Sequence, residues 1–139
     1  MNDVIIEKVN TYKGYKYQII FNPYMGFRCG YVQIPENHKL YEIDYPDVWN
    51  YGDFGVEFTF GGNLKNQAGF WLGWDHGHYG DGIDMENAVK YLKKLYGEGS
   101  TQYMTAMQIL TIQDSGMPFA TTEDVEEECF EVIEQLQKL

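Results

Sequence analysis

The residues best equipped for chemistry lie close together in Trp71-Leu72-Gly73-Trp74-Asp75-His76-Gly77-His78-Tyr79-Gly80-Asp81-Gly82-Ile83-Asp84. Two of the chain's three histidines and the carboxylates Asp75, Asp81 and Asp84 fall in this stretch. Its glycines let the backbone turn tightly and approach a ligand. Three readings are open. In the first, Asp75, His78 and Asp81 converge on one divalent metal ion, with His38 joining from a distant loop. Mixed imidazole and carboxylate ligands suit Zn, Mn or Fe, and a bound water would then serve hydrolysis. The spacing matches neither H-E-x-x-H nor paired C-x-x-C. In the second, the same groups only hold the loop: Asp75 accepts backbone N–H groups and His78 ties the turn as a neutral imidazole. In the third, a ligand binds without metal. Trp49, Trp71, Trp74 and Tyr79 would then wall a nucleobase-like ring, with stacking worth ~1–3 kcal/mol per base. Lys16, Arg28 and Lys39 would be the phosphate partners. The same aromatics also read as core and rim packing.

Nucleophiles are poorly placed. Cys29 sits in an alternating, strand-like pattern, and Cys129 in a helical apolar stripe. Both read as buried thiols of a reducing cytoplasm, not as a disulfide. Ser100 and Ser115 lie in loops without a nucleophile elbow. Gly97-Glu98-Gly99-Ser100 lacks the lysine of a phosphate loop. A binding protein is therefore expected before an enzyme.

The elements that must position these groups follow from periodicity. Val4–Val9 is a β-branched run, and Tyr12-Lys13-Gly14-Tyr15 is a turn. In Tyr15–Phe21, the residues Tyr15, Tyr17, Ile19 and Phe21 share one face, while Lys16 and Gln18 share the other. Asn22–Gly26 is a turn cluster, and Phe27–Ile34 is a second alternating strand stopped by Pro35. The aromatic stretch from Pro35 to Asp53 is an irregular loop. Val56, Phe58 and Phe60 predict a third core strand. Phe70–Asp75 predicts a fourth, with Phe70, Leu72 and Trp74 opposite Trp71, Gly73 and Asp75. A helix starts at Asp84 and stops at Gly97. Residues 101–112 carry a weaker helical pattern. Thr121-Thr122-Glu123-Asp124 starts a last helix, whose stripe is Val125, Cys129, Val132, Ile133 and Leu136. The expected fold is a single α+β domain over residues 1–139. It has an antiparallel sheet of four to five strands and two or three helices, the C-terminal one amphipathic and packed on the sheet.

Composition narrows the function classes. In 139 residues, Lys+Arg number 10 against 21 Asp+Glu, a net charge of -11. With Arg28 as its one arginine, the chain does not read as a general nucleic-acid binder. The first 40 residues carry Lys8, Lys13, Lys16, Arg28 and Lys39 against Asp3, Glu7 and Glu36, so the remainder is strongly acidic and could mask a basic partner. Aromatics at 17% favour a β-rich fold or an aromatic-lined surface. No apolar run reaches membrane-span length, and Met1-Asn2-Asp3 does not begin a signal peptide, so the expected location is the cytoplasm.

Several segments together resemble a known family. They are Gly30-Tyr31-Val32-Gln33-Ile34-Pro35-Glu36-Asn37-His38, Val56-Glu57-Phe58-Thr59-Phe60, the Trp71–Asp81 segment, and the closing Val125-Glu126-Glu127-Glu128-Cys129 helix. They are similar to small uncharacterised proteins of bacteriophages and prophages that carry G-Y-V-x-[IV]-P-x-x-H and W-x-G-[FW]-D-x-x-H-x-G-D motifs. The matched positions are His38, Asp75, His78, Gly80 and Asp81. Where those proteins carry His-Gly-Gly-Leu-Thr, this chain has Gly55-Val56-Glu57-Phe58-Thr59, so one ligand histidine is missing. The resemblance implies a phage accessory protein in the host cytoplasm. Its role would be counter-defence, by sequestering a nucleotide-like signal or masking a host protein. A metal-dependent hydrolase and a homo-oligomeric structural protein are the alternatives.

Overall fold

The alternating first third of the chain closes as a three-stranded meander. The computed structural model describes residues 4–65, 67–78, 81–113 and 116–139; Met1-Asn2-Asp3, Tyr79, Gly80 and Ser115 lie outside the described residues. Strands β1 (Ile5–Tyr12), β2 (Tyr15–Asn22) and β3 (Phe27–Ile34) pair antiparallel in chain order. Lys13 and Gly14, at φ 49° and 86°, supply the two left-handed residues that a tight hairpin turn needs. The Asn22 side chain closes the second turn by accepting from the N–H groups of Tyr24 and Met25.

Strand β4 (Phe60–Gly62) and strand β5 (Phe70–Asp75) complete the sheet. All pairings are antiparallel and the order is β1-β2-β3-β5-β4. The strand expected over Val56–Phe60 does not form there; pairing begins at Thr59, whose N–H donates to the Gly73 carbonyl at 2.9 Å. Gly55, at φ 80°, breaks the extended path. The rings of Phe54 and Phe58 both turn inward, 5.5 Å apart, and Phe58 meets Trp74 edge-on at 5.9 Å. Burying those rings outweighs a longer ladder at the sheet edge.

Three α-helices follow. Helix α1 (Met85–Tyr96) is capped by the Asp84 carboxylate, and Gly97 stops it. Helix α2 (Thr101–Ile112) is capped by the Ser100 hydroxyl. Helix α3 (Thr122–Gln137) opens with a reciprocal capping box between Thr121 and Asp124. Its stripe, Val125, Cys129, Val132, Ile133 and Leu136, is fully buried against Tyr17, Ile19, Val32, Ile34, Leu72 and Trp74. Alternation along β2 puts Phe21 on that same face, where it packs against Met85, Ala88 and Leu92 of α1. Helix α2 leans on α1 through Ala106; it has no charged residue and leaves Met104 and Ile112 exposed. A short 3-10 helix (Tyr45–Tyr51) in the long loop buries Val48 and exposes Trp49. No described helix is long and apolar enough to cross a membrane.

α1 and α3 therefore sit on one face of the sheet, and Arg28 locks them there. Glu7 lies two residues after Ile5, whose register partner Phe21 packs against α1, so alternation along β1 turns it toward the helices. Arg28, 5% exposed, pairs with Glu7 at 2.7 Å and with Asp84, the cap of α1, at 3.0 Å. It also donates to the Ala120 carbonyl at 3.1 Å, just before α3. Glu7 in turn accepts from Asn87 and Thr122. This corrects the expectation that Arg28 contacts phosphate: its donors are spent inside the fold. Removing Glu7 leaves Asp84 to offset the charge but takes the acceptor from Arg28 Nε, Asn87 and Thr122 at once. Glu7→Ala is accordingly expected to cost about 3–5 kcal/mol in urea denaturation, and a loss under ~1 kcal/mol would contradict the assignment.

Candidate functional site

The loop after β5 gathers part of the expected constellation. Asp75, His76, His78 and Asp81 share a shallow cleft of about 260 Å³ with Glu57, Trp74 and Glu128. Backbone needs explain most of it. Asp75 Oδ1 accepts from Gly77 N–H and Oδ2 from the Thr59 hydroxyl, both at 2.9 Å. Asp81 accepts from His78 N–H at 3.0 Å and returns its own N–H to the His78 carbonyl. These are the hydrogen bonds of a self-closed turn. The His78 ring stands between two carboxylates. Its Nε2 is 3.7 Å from Asp75 and its Nδ1 is 3.7 Å from Asp81. Opposite ring nitrogens thus face opposite acids, whereas shared ligation needs one nitrogen and both acids aimed at a common point. Among the described residues no three His, Cys, Asp or Glu side chains are grouped to hold a metal ion.

The other expected site residues are dispersed. His38 Nδ1 accepts from Leu40 N–H, so Nε2 carries the proton and donates to the Leu136 carbonyl at 2.8 Å. It pins the long loop to the end of α3. Trp71 is buried on the opposite face of β5, with its indole N–H on the Ala68 carbonyl. Trp74 is buried in the core, its indole lying over Gly30, where a Cβ would collide with it. Tyr79 lies outside the described residues, and Trp49 lines neither cavity described here.

Glu128 is the residue sequence reasoning missed. One carboxylate oxygen accepts from Trp74 Nε1 at 2.9 Å and from His76 Nε2 at 2.8 Å. Glu128 looks like one more acid of a solvated helix face. Its neighbour Cys129 in the apolar stripe was the available signal that it borders the core. The hydrogen bond from Glu128 raises the His76 pKa above the ordinary 6.5; burial opposes this, and the charges of Glu128, Asp81 and Asp75 add to it.

A larger cavity, about 600 Å³, lies on the opposite face of the sheet, where Thr59, Phe60, Leu64, Lys65 and Gln67 border it. Ile6, Ile20, Phe27, Tyr31, Phe60 and Leu64 give it apolar walls, and Lys65 adds positive charge to the lining. Tyr31 and Phe60 meet edge-to-face at 5.6 Å. Asp75 borders both this cavity and the loop cleft. Gln18 belongs to the lining although it is only 1% exposed, and neither Oε1 nor Nε2 of its carboxamide has a partner among the described residues. An unpaired buried polar group costs ~1–3 kcal/mol, so this side chain is expensive for the fold. Cys29, expected to be buried, is half-buried and faces the same space. Burial, aided by the Asp75 charge, pushes its thiol up to about 12, so it is not an activated nucleophile. Burial also raises the phenol of Tyr31 and the thiol of Cys129.

Comparison with protein-family models, with curated proteins and with solved structures finds no match. The site is therefore read from its own geometry: one self-satisfied acidic loop, and one apolar cavity holding an amide unsatisfied among the described residues.

The His76–Glu128 pair makes a pH prediction. Because folding raises the His76 pKa, the pair contributes fully below pH 6.5 and its contribution falls as pH rises through the folded value. His76→Gln should lower stability by roughly 1–2 kcal/mol at about pH 5.5 and by clearly less at about pH 8.5. Denaturation of both proteins across that range checks it; an equal loss at both ends contradicts the pairing.

Proposed function

We propose that this protein acts by non-covalent binding, seating a planar, nucleotide-like small molecule on the helix-free face of its sheet. The observation that carries this reading is the 600 Å³ cavity, walled by Phe27, Tyr31 and Phe60 and floored by Gln18, whose amide is unpartnered among the described residues. Flat apolar walls with a few polar groups are the usual make-up of a small-molecule site. The base end of such a ligand would take the cavity. Its phosphate would stay at the solvent side, because the chain's net charge of -11 disfavours deep phosphate burial. The biological setting is taken from the resemblance to phage and prophage proteins: an accessory protein in the host cytoplasm that works in counter-defence by holding a signal molecule out of circulation. The reading is non-catalytic. The self-closed Asp75–Asp81 loop, with opposite nitrogens of His78 facing opposite acids, favours it over a metal-dependent hydrolase.

The test is a thermal-shift screen of the full chain against nucleosides, cyclic nucleotides and dinucleotides. A ligand near 100 times its Kd contributes about 2.7 kcal/mol, enough to raise Tm by roughly 5 °C or more. The expected result is such a rise with at least one member, strongly reduced by Phe60→Ala. Trp74→Ala is unsuitable as the control, because that indole is part of the core. No shift with any member would overturn the reading.

A further inference from the structure

We infer that Gln18 is the specificity determinant of the open-face cavity, and that it selects a planar heterocycle carrying a hydrogen-bond donor beside an acceptor in the ring plane. This rests on the binding reading above and goes beyond it by naming the edge that is recognised.

The argument starts from the strand. Gln18 occupies the middle of β2, with Val9 of β1 and Tyr31 of β3 as its register partners. Its backbone groups belong to the ladder on either side. Its side chain leaves the sheet on the face away from α3, between Lys16 and Ile20 of the same strand. A leucine there would fill similar volume without a desolvation cost. The chain instead places a carboxamide where both of its polar atoms go unpaired among the described residues. Asp75 and Thr59, two of the polar residues that border the cavity, bond to each other. Nothing among the described residues explains the amide, whereas a ligand in the cavity would.

The chemistry of that ligand follows. A carboxamide presents an acceptor oxygen and a donor nitrogen side by side in one plane. Its complement is a donor next to an acceptor, also in one plane. The lactam edge of uracil has this pattern, and so does the amino edge of adenine, which glutamine reads with two hydrogen bonds in other settings. The rings of Phe27, Tyr31 and Phe60 supply the apolar surroundings that make such a pair count.

Calorimetric titration of the full chain tests this with two matched pairs: uridine against 3-methyluridine, and adenosine against N6,N6-dimethyladenosine. Wild type should bind at least one parent nucleoside, and bind its alkylated partner at least about tenfold more weakly, because a site built for the donor is left unpaired by the analogue. Gln18→Leu should melt no lower than wild type and should lose that discrimination. Gln18→Glu, which replaces the donor nitrogen by an acceptor, should weaken the parent by a similar factor. If parent and analogue bind wild type equally, or if Gln18→Leu keeps the difference, the role of Gln18 is overturned while the binding reading stands. A lower melting point for Gln18→Leu would also overturn it, since the amide would then serve the fold. If neither parent nucleoside binds while another member of the nucleotide panel does, this inference falls alone; if no member of that panel binds, the binding reading falls with it.

Discussion

The ion pairs of Arg28 are the constraint on which the arrangement of this molecule depends. A guanidinium buried in a sheet must be met by acids, and here they come from two directions. Glu7 comes from the helix-facing side of β1, and Asp84 is the residue that caps α1. The remaining reach of the guanidinium goes to the carbonyl of Ala120, directly before α3. One side chain thus ties two strands to the starts of two helices. Pairs of this kind are weak contributors to net stability, yet costly to break. We read this one as a positional device. A helix docked on the other face of the sheet would leave Arg28 without Asp84 and the Ala120 carbonyl.

The consequence is a sheet with two different faces. One is dry and closely packed: Trp74 over Gly30, Tyr12 stacked on Phe130 at 4.2 Å, and the stripe of α3 across the middle. The other receives no helix among the described residues, yet it is not a polar solvent face. It carries Ile20, Phe27, Cys29 and Tyr31, and Thr59, Phe60, Leu64 and Lys65 border the cavity there. An antiparallel sheet can afford one solvated face only if that face is polar. An apolar one with a cavity is a place for something else. Asp75 stands where the two regions meet, holding the loop through Gly77 and the border of the cavity through Thr59.

Much of this was legible from residue patterns. Alternation located β2, β3 and β5 and assigned the faces of β5. The apolar stripe of α3 and its Thr121 start needed only helical spacing. The segment around Phe58 misled because Val56, Phe58 and Phe60 alternate as a strand would. That pattern cannot reveal that Gly55 turns the chain and sends Phe54 and Phe58 inward together. The loop after β5 does concentrate acids and imidazoles, as its composition indicates, but its hydrogen bonds are local and leave little for a ligand. The larger cavity escaped notice for a different reason. Gln18 falls opposite the apolar residues of β2 and reads as a solvent-side residue. Alternation separates two faces but does not say what covers each. Glu128 and Glu7 were hidden likewise, since their partners lie 52 and 21 positions away in the chain.

The central claim, that the helix-free face is an accessible cavity and the opposite face a closed core, has a direct reporter in the two cysteines. Cys29 lines the cavity and Cys129 is fully buried beneath α3. Titration of the native protein with a small organomercurial should modify one thiol per chain, mapped by mass spectrometry to Cys29, and unfolding should expose the second. Modification of neither thiol in the native state, or of both at equal rates, would contradict the account.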